Sequence, residues 1–352
     1  MRNSIIVLLL VAVLSVGSGT VTPQTGFPPI KGVWYTSFER DAYSAASVVN
    51  DLQTLKDRLS INHVVFTVPV FQPDVRSNTP AVDPARTPSD AVMRNAIEQA
   101  HRVGLSVVLI PYLLIDDGEW VGDLAPTNVS QWFQSWRAVL RRYAQLAQQI
   151  NVEIFLLGWE FVTMQKYHAE WERTIREVRP LYRGRLSYFA NWWWDRQTYA
   201  NVSDWKPWGL LDFIGISAFF ELTRKNNPTV LELQRAWSAD AHDQNIIEDL
   251  KNLNAQYRRC IVFLELGYES KDGTNREPWN FLRPGAPDEQ EQRDAFHAAF
   301  QALSDKPWFD GYLIWAEQVG LPRTETGYDV LTKPAAEIIR AHTMAQKSCP
   351  RP

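Results

Sequence analysis

Cysteine is scarce in this 352-residue chain, and two copies, Cys260 and Cys349, are too few for a cysteine metal site. Histidine is scarce as well. The six stand at 63, 101, 168, 242, 297 and 342 with no H-E-x-x-H pair, so a zinc protease has no support. A G-x-S-x-G turn is missing, which removes the serine-hydrolase elbow. No G-x-G-x-x-G turn follows the first strand-like run, which weakens a dinucleotide site. Sustained basic tracts are missing too: Lys+Arg 36 against Asp+Glu 40 gives a net charge of −4, with no electrostatic footprint for nucleic acid. The expected chemistry therefore needs no metal and no cofactor, and no nucleic-acid partner.

Long uncharged runs are lacking. Residues 5–16 are apolar, but a spanning helix needs roughly 20 such residues. Preceded by Met1-Arg2-Asn3-Ser4 and followed by Gly17-Ser18-Gly19, this run has the order of a signal peptide. Residues 1–24 are read as signal peptide and leader. Residues 25–352 are read as one exported domain without membrane contact, acting as a monomer.

What the chain does have is 45% apolar residues and eight β-branched, apolar segments at 32–37, 63–70, 106–113, 153–158, 186–191, 213–218, 260–264 and 311–315. Helical spacing fills most of the gaps, as in Val48, Leu52, Leu55, Leu59 and in Trp132, Trp136, Val139, Tyr143, Leu146. Thr87 is read as an N-cap with Pro88 in the first turn and Gly104 past the end of one such helix. Strand and helix alternating eight times predict an α/β fold, a single-domain (β/α)8 TIM barrel. A doubly wound sheet is the runner-up. The Pro/Gly-rich stretches 72–88 and 275–287 follow the second and seventh strands and read as long loops on the catalytic face.

In such a barrel reactive groups stand at the C-terminal ends of strands. Glu160 ends the fourth strand and Glu265 the seventh, each interrupting an apolar run where an unpaired charge is costly. Pleat alternation places Glu160 on the face of Leu156 and Gly158, and Glu265 on the face of Ile261 and Phe263. Two carboxylates across a cleft suit glycoside hydrolysis, one protonating the leaving oxygen and one ionised against the developing cation. The bland alternative pairs each glutamate with an arginine at the rim. Glu317, just past the eighth strand, is placed to reach the pocket rim and bind a hydroxyl. The chain holds 15 Trp. Those near strand ends, Trp34, Trp120, Trp159, Trp192, Trp193, Trp194, Trp279 and Trp315, suit the apolar faces of pyranose rings.

Several stretches carry a resemblance: Arg86-Thr87-Pro88-Ser89-Asp90, Ala190-Asn191-Trp192, Glu265-Leu266-Gly267-Tyr268, and the segments 100–105, 143–147, 211–216 and 306–311. Together they resemble glycoside hydrolase family 113, β-mannanases of a clan of retaining (β/α)8 glycosidases. The resemblance implies Glu160 as general acid/base, Glu265 as nucleophile, and Asn191, Trp192 and Trp315 in the sugar-binding wall. It implies a secreted, retaining, endo-acting hydrolase of β-1,4-mannan, with a polysaccharide or oligosaccharide as its partner. Departures fall in the pocket: Tyr112 where the family has His, Trp159 before the acid/base, and Phe219 where the pattern suggests Tyr. The last would remove a hydroxyl from Glu265 unless Tyr268 or Tyr112 supplies one. A catalytically silent glycan-binding barrel, or a hydrolase of another β-glycan, is the alternative. The fold also brings Cys260 and Cys349 toward one face, where a disulfide would stabilise by about 4–5 kcal/mol.

Overall fold

The computed structural model describes residues 28–320 and 322–343. The expected leader and Cys349 lie outside the described residues. Eight parallel strands close into a barrel in sequence order: β1 (Ile30–Thr36), β2 (His63–Gln72), β3 (Ser106–Ile115), β4 (Ile154–Trp159), β5 (Arg185–Ala190), β6 (Ile214–Ser217), β7 (Ile261–Leu266) and β8 (Phe309–Gln318). The (β/α)8 expectation holds, and the doubly wound sheet is excluded because β1 pairs with β8. That seam is tight. A Cβ at Gly311, where φ is +140°, would lie 2.0 Å from the Ile30 carbonyl oxygen.

Helices surround the barrel: α1 (Val48–Leu59), α2 (Asp90–Arg102), α3 (Val129–Gln149), α4 (His168–Val178), α5 (Arg196–Ser203), α6 (Val230–Ala236), α7 (Ile246–Tyr257), α8 (Glu289–Leu303) and α9 (Ala335–Ala341). Each turns an apolar stripe to the strands; in α1 the buried residues are Val48, Leu52, Leu55 and Leu59. The N-cap of α2 is Ser89, whose hydroxyl accepts from the Val92 N–H. Thr87 instead donates to the Pro69 carbonyl and accepts from the Asp83 N–H, tying the β2–α2 loop to its strand. Cys260 is buried and disulfide-bonded. No described helix is long and apolar enough to cross a membrane.

Two apolar layers result. The lumen holds Trp34, Val65, Ile110, Leu156, Phe189, Val262, Leu264 and Leu313, and a larger layer fills the space between strands and helices. At the bottom of the lumen Arg185 and Asp310 form an ion pair at 3.1 Å.

Candidate active site

Pleat alternation alone brings Glu160 to the lumen face of Leu156 but does not bring Glu265 to the mouth. In β7 the lumen residues are Val262 and Leu264, whereas Ile261 and Phe263 face the helices. Strict alternation would send Glu265 outward with them. Register irregularities intervene: the β6–β7 pairing shifts so that Ser217 lies opposite Glu265, and β7–β8 shifts between Phe263 and Leu266. β4 breaks register between Leu156 and Trp159 against β5. Glu160 follows with φ +49°, a left-handed conformation that costs a non-glycine residue energy and gathers at functional sites. Irregularities of this kind commonly re-aim a side chain beside an active site.

Both carboxylates line one cavity of about 770 Å³ at the C-terminal end of the barrel. Glu160 accepts at 3.2 Å from the Trp120 indole N–H. Ser217 donates to Glu265 at 3.1 Å and also acts on Glu160. Burial raises the carboxyl pKa of both, and the charge of Glu160 raises that of Glu265 further, against the lowering effect of the hydrogen bonds. Among the described residues no cation pairs with either, so the rim-arginine alternative is excluded. The pair holds a proton into the range where an exposed carboxyl has lost it. Glu265 Oε1 has no hydrogen-bond partner among the described residues.

Tyr112, Trp120, Asn191, Trp192, Phe219 and Trp315 line the same cavity, as expected from sequence. Trp34 does not. Fully buried beneath them, it donates to the Leu264 carbonyl at 2.6 Å and packs edge-on against Trp315 and Tyr112, so it braces the floor. Tyr268 is turned outward against Phe296 of α8 and supplies nothing to Glu265. Glu317 is another departure. Its carboxylate accepts from the Val330 and Leu331 N–H groups at 2.8 and 2.9 Å, a loop staple rather than a free hydroxyl acceptor. It lines a separate recess of about 1230 Å³ on the other side of Trp315, which contains neither Glu160 nor Glu265.

Sequence reading missed Ser217, Glu221, His242, Phe281 and Tyr328, all but the first of which line the cavity. Ser217 had a legible signal, a hydroxyl closing an apolar strand. The others come from loops that only the closed barrel brings together. Trp159, read as a departure, stacks on Tyr112 with ring centroids 4.1 Å apart and extends the aromatic wall.

Residues 33–329 match the model of Glycoside Hydrolase Family 113. The chain belongs to glycoside hydrolase family 113. It is accordingly a glycoside hydrolase, and a glycan is its substrate. No curated protein matches the sequence. Among solved structures, a family 113 β-mannanase from Alicyclobacillus acidocaldarius in complex with ManMIm is 25% identical, with a TM-score of 0.76 over 89% of this chain and 96% of that one. A complex of a family 113 β-1,4-mannanase is 23% identical, with a TM-score of 0.75 over 90% of this chain and 99% of that one. More distant is a GH5_18 protein from Streptomyces cattleya in complex with Manb1-4GlcNAc, at 15% identity and a TM-score of 0.59 over 92% of this chain and 83% of that one.

Proposed function

We propose that this family 113 hydrolase is an exported, retaining, endo-acting β-1,4-mannanase in which Glu265 is the nucleophile and Glu160 the general acid/base. The observation that carries the reading is that two buried carboxyls line one cavity, with Ser217 donating to Glu265 and no cation paired with either among the described residues. The hydrogen bond from Ser217 favours ionised Glu265, which leaves the proton shared by the pair to Glu160. Catalysis needs that state. Glu265 attacks the anomeric carbon as the bond to the leaving oxygen breaks, and Glu160 protonates that oxygen. Glu160 then takes a proton from water as the water's oxygen displaces Glu265.

Retention, for which carboxyl groups sit about 5–5.5 Å apart against about 6.5–9.5 Å for inversion, is what the resemblance to a clan of retaining glycosidases implies. The unpartnered Oε1 of Glu265 leaves a lone pair for attack. Mannan as substrate is supported by the likeness to solved structures of a family 113 β-1,4-mannanase and a family 113 β-mannanase. Export is supported by the charged, apolar and small-residue order at the N-terminus.

The silent glycan-binding alternative drew on a missing hydroxyl at 219, and Ser217 supplies one from the same strand. Product analysis on mannan, glucan and xylan tests the reading. New reducing ends from mannan, with the first-formed product retaining the β-configuration, are expected. Release from glucan or xylan alone would overturn the mannan assignment, and tight binding without release would overturn catalysis.

A further inference from the structure

Seven large apolar residues are exposed among the described residues, and four of them, Trp120, Trp194, Trp279 and Phe281, line the cavity that holds the carboxylates. Exposed apolar groups concentrated at one opening mark a surface that meets a ligand with apolar faces. Trp120 follows β3 and Trp279 follows β7, four strands apart round the closed barrel, so they stand on opposite sides of the mouth. Trp120 is tied directly to Glu160. Trp279 is tied elsewhere: its indole N–H donates to Glu221 Oε1 at 2.8 Å, while Glu221 Oε2 meets His242 Nε2 at 2.8 Å.

This second anchor is built from three loops. Glu221 lies beyond β6, and its carbonyl accepts from the Ala241 N–H at 3.0 Å. His242 lies between α6 and α7, its N–H donating at 2.8 Å to Asp240 Oδ1, which also accepts from the Gln244 N–H. Trp279 belongs to the β7–α8 loop. Both Glu221 oxygens are thus engaged, and the indole is held by its edge with 45% of the residue exposed. A tryptophan fixed by its N–H and left open on its face suits a pyranose ring, whose C–H face packs on the indole without further hydrogen bonds.

We propose that Trp279 is the platform for a sugar unit beyond the two joined by the bond that is cut, and that Glu221, braced by His242, is a positioning residue that fixes the angle of the platform. The proposal deepens the mannanase reading and rests on it for the identity of the sugar. Glu221 acts through Trp279 and takes no part in bond breaking. Holding the ring in advance removes an ordering cost from substrate binding, so its effect scales with substrate length.

The test compares kcat and KM on manno-oligosaccharides of two to six units for the wild type, Trp279→Ala, Glu221→Leu, the double variant and Glu221→Gln. Trp279→Ala and Glu221→Leu are expected to lower kcat/KM at least tenfold on the hexasaccharide, chiefly through KM, with the loss shrinking toward the disaccharide. The double variant should be no worse than Trp279→Ala. Glu221→Gln, which keeps an oxygen for the indole N–H, should restore most of the loss. An equal loss at every length, or none, overturns the proposal. Should the wild type cleave no mannan, the mannanase reading fails by itself. Titration of tryptophan fluorescence with manno-, cello- and xylo-hexaose then decides: Trp279→Ala binding as tightly as the wild type, or no binding by the wild type, overturns the platform.

Discussion

The two ends of this barrel treat buried charge in opposite ways. At the N-terminal end Arg185 of β5 and Asp310 of β8 meet at 3.1 Å with their side chains 8% and 3% exposed, and Arg185 also lies over the Phe213 ring. His63, at the start of β2, is pushed down to about 3 by burial and then by the Arg185 charge, so it stays neutral. At the C-terminal end Glu160 and Glu265 are as deeply buried, yet they face each other rather than a cation. The same closed sheet carries both arrangements. Opposite charges hold the floor together, whereas like charges at the mouth share a proton and store the capacity to release it.

Removing the mouth's charges should have the largest effect of any change, and it should fall on rate. Glu265→Ala is expected to lower kcat at least about 10⁴-fold, measured on the polysaccharide the wild type cleaves, with folding checked by near-ultraviolet circular dichroism. Its Tm should not fall, since no cation is left behind. A loss of stability in place of rate would erase the distinction between the ends.

Arg185→Leu is the counterpart at the floor. Taking the guanidinium away from the buried Asp310 carboxylate breaks a buried ion pair and costs about 3–5 kcal/mol, read as a shift in the urea midpoint. The folded fraction should retain its rate at low temperature. A shift below about 1 kcal/mol would show that the floor does not depend on the pair.

The ends should also titrate in opposite senses. Glu160 and Glu265 titrate as a pair whose pKa is raised in the fold, so the folded protein binds more protons than the unfolded chain once pH passes the ordinary carboxylate range. The contribution of the pair is complete below that range and is lost as pH rises toward the folded value. His63 has a lowered pKa, so its contribution is complete near neutrality and is lost as pH falls from 6.5 toward about 3. Glu265→Gln should therefore melt above the wild type at pH 7, with the gap closing below about pH 4. A gap unchanged with pH would mean that the raised titration does not belong to this pair.

The fold was legible because alternation of β-branched runs with helical spacing is a local pattern repeated eight times, and closure follows from the count. Glu160 and Glu265 were legible as charges ending apolar strands. The route by which Glu265 reaches the mouth was not, since the period-two rule places it with Phe263, and Phe263 faces the helices. A register shift depends on the neighbouring strand, which no window of sequence contains. Glu317 misled for a related reason. Its acceptors are satisfied by N–H groups at Val330 and Leu331, and only the returning loop brings those within reach. Glu221, His242 and Trp279 lie on three separate loops and form a cluster only after the barrel closes.

The smallest expected effect sharpens the account of the mouth. Phe219 lines the cavity at a position where the resemblance read from the sequence implies a Tyr. In this chain Ser217 is the hydroxyl that serves Glu265, and Glu265 Oε1 is left unpartnered among the described residues. Phe219→Tyr introduces a second donor two residues beyond Ser217, just past the end of β6. A donor to the ionised carboxylate favours that form, so the acid limb of the kcat/KM profile should move to lower pH. The shift should be about one to two pH units, because a hydrogen bond to a charged group contributes about 1.5–3 kcal/mol. The alkaline limb, set by Glu160, should stay in place. Movement of the alkaline limb alone would reverse the roles assigned to the two glutamates, because the added hydroxyl would then be acting on the acid rather than on the nucleophile.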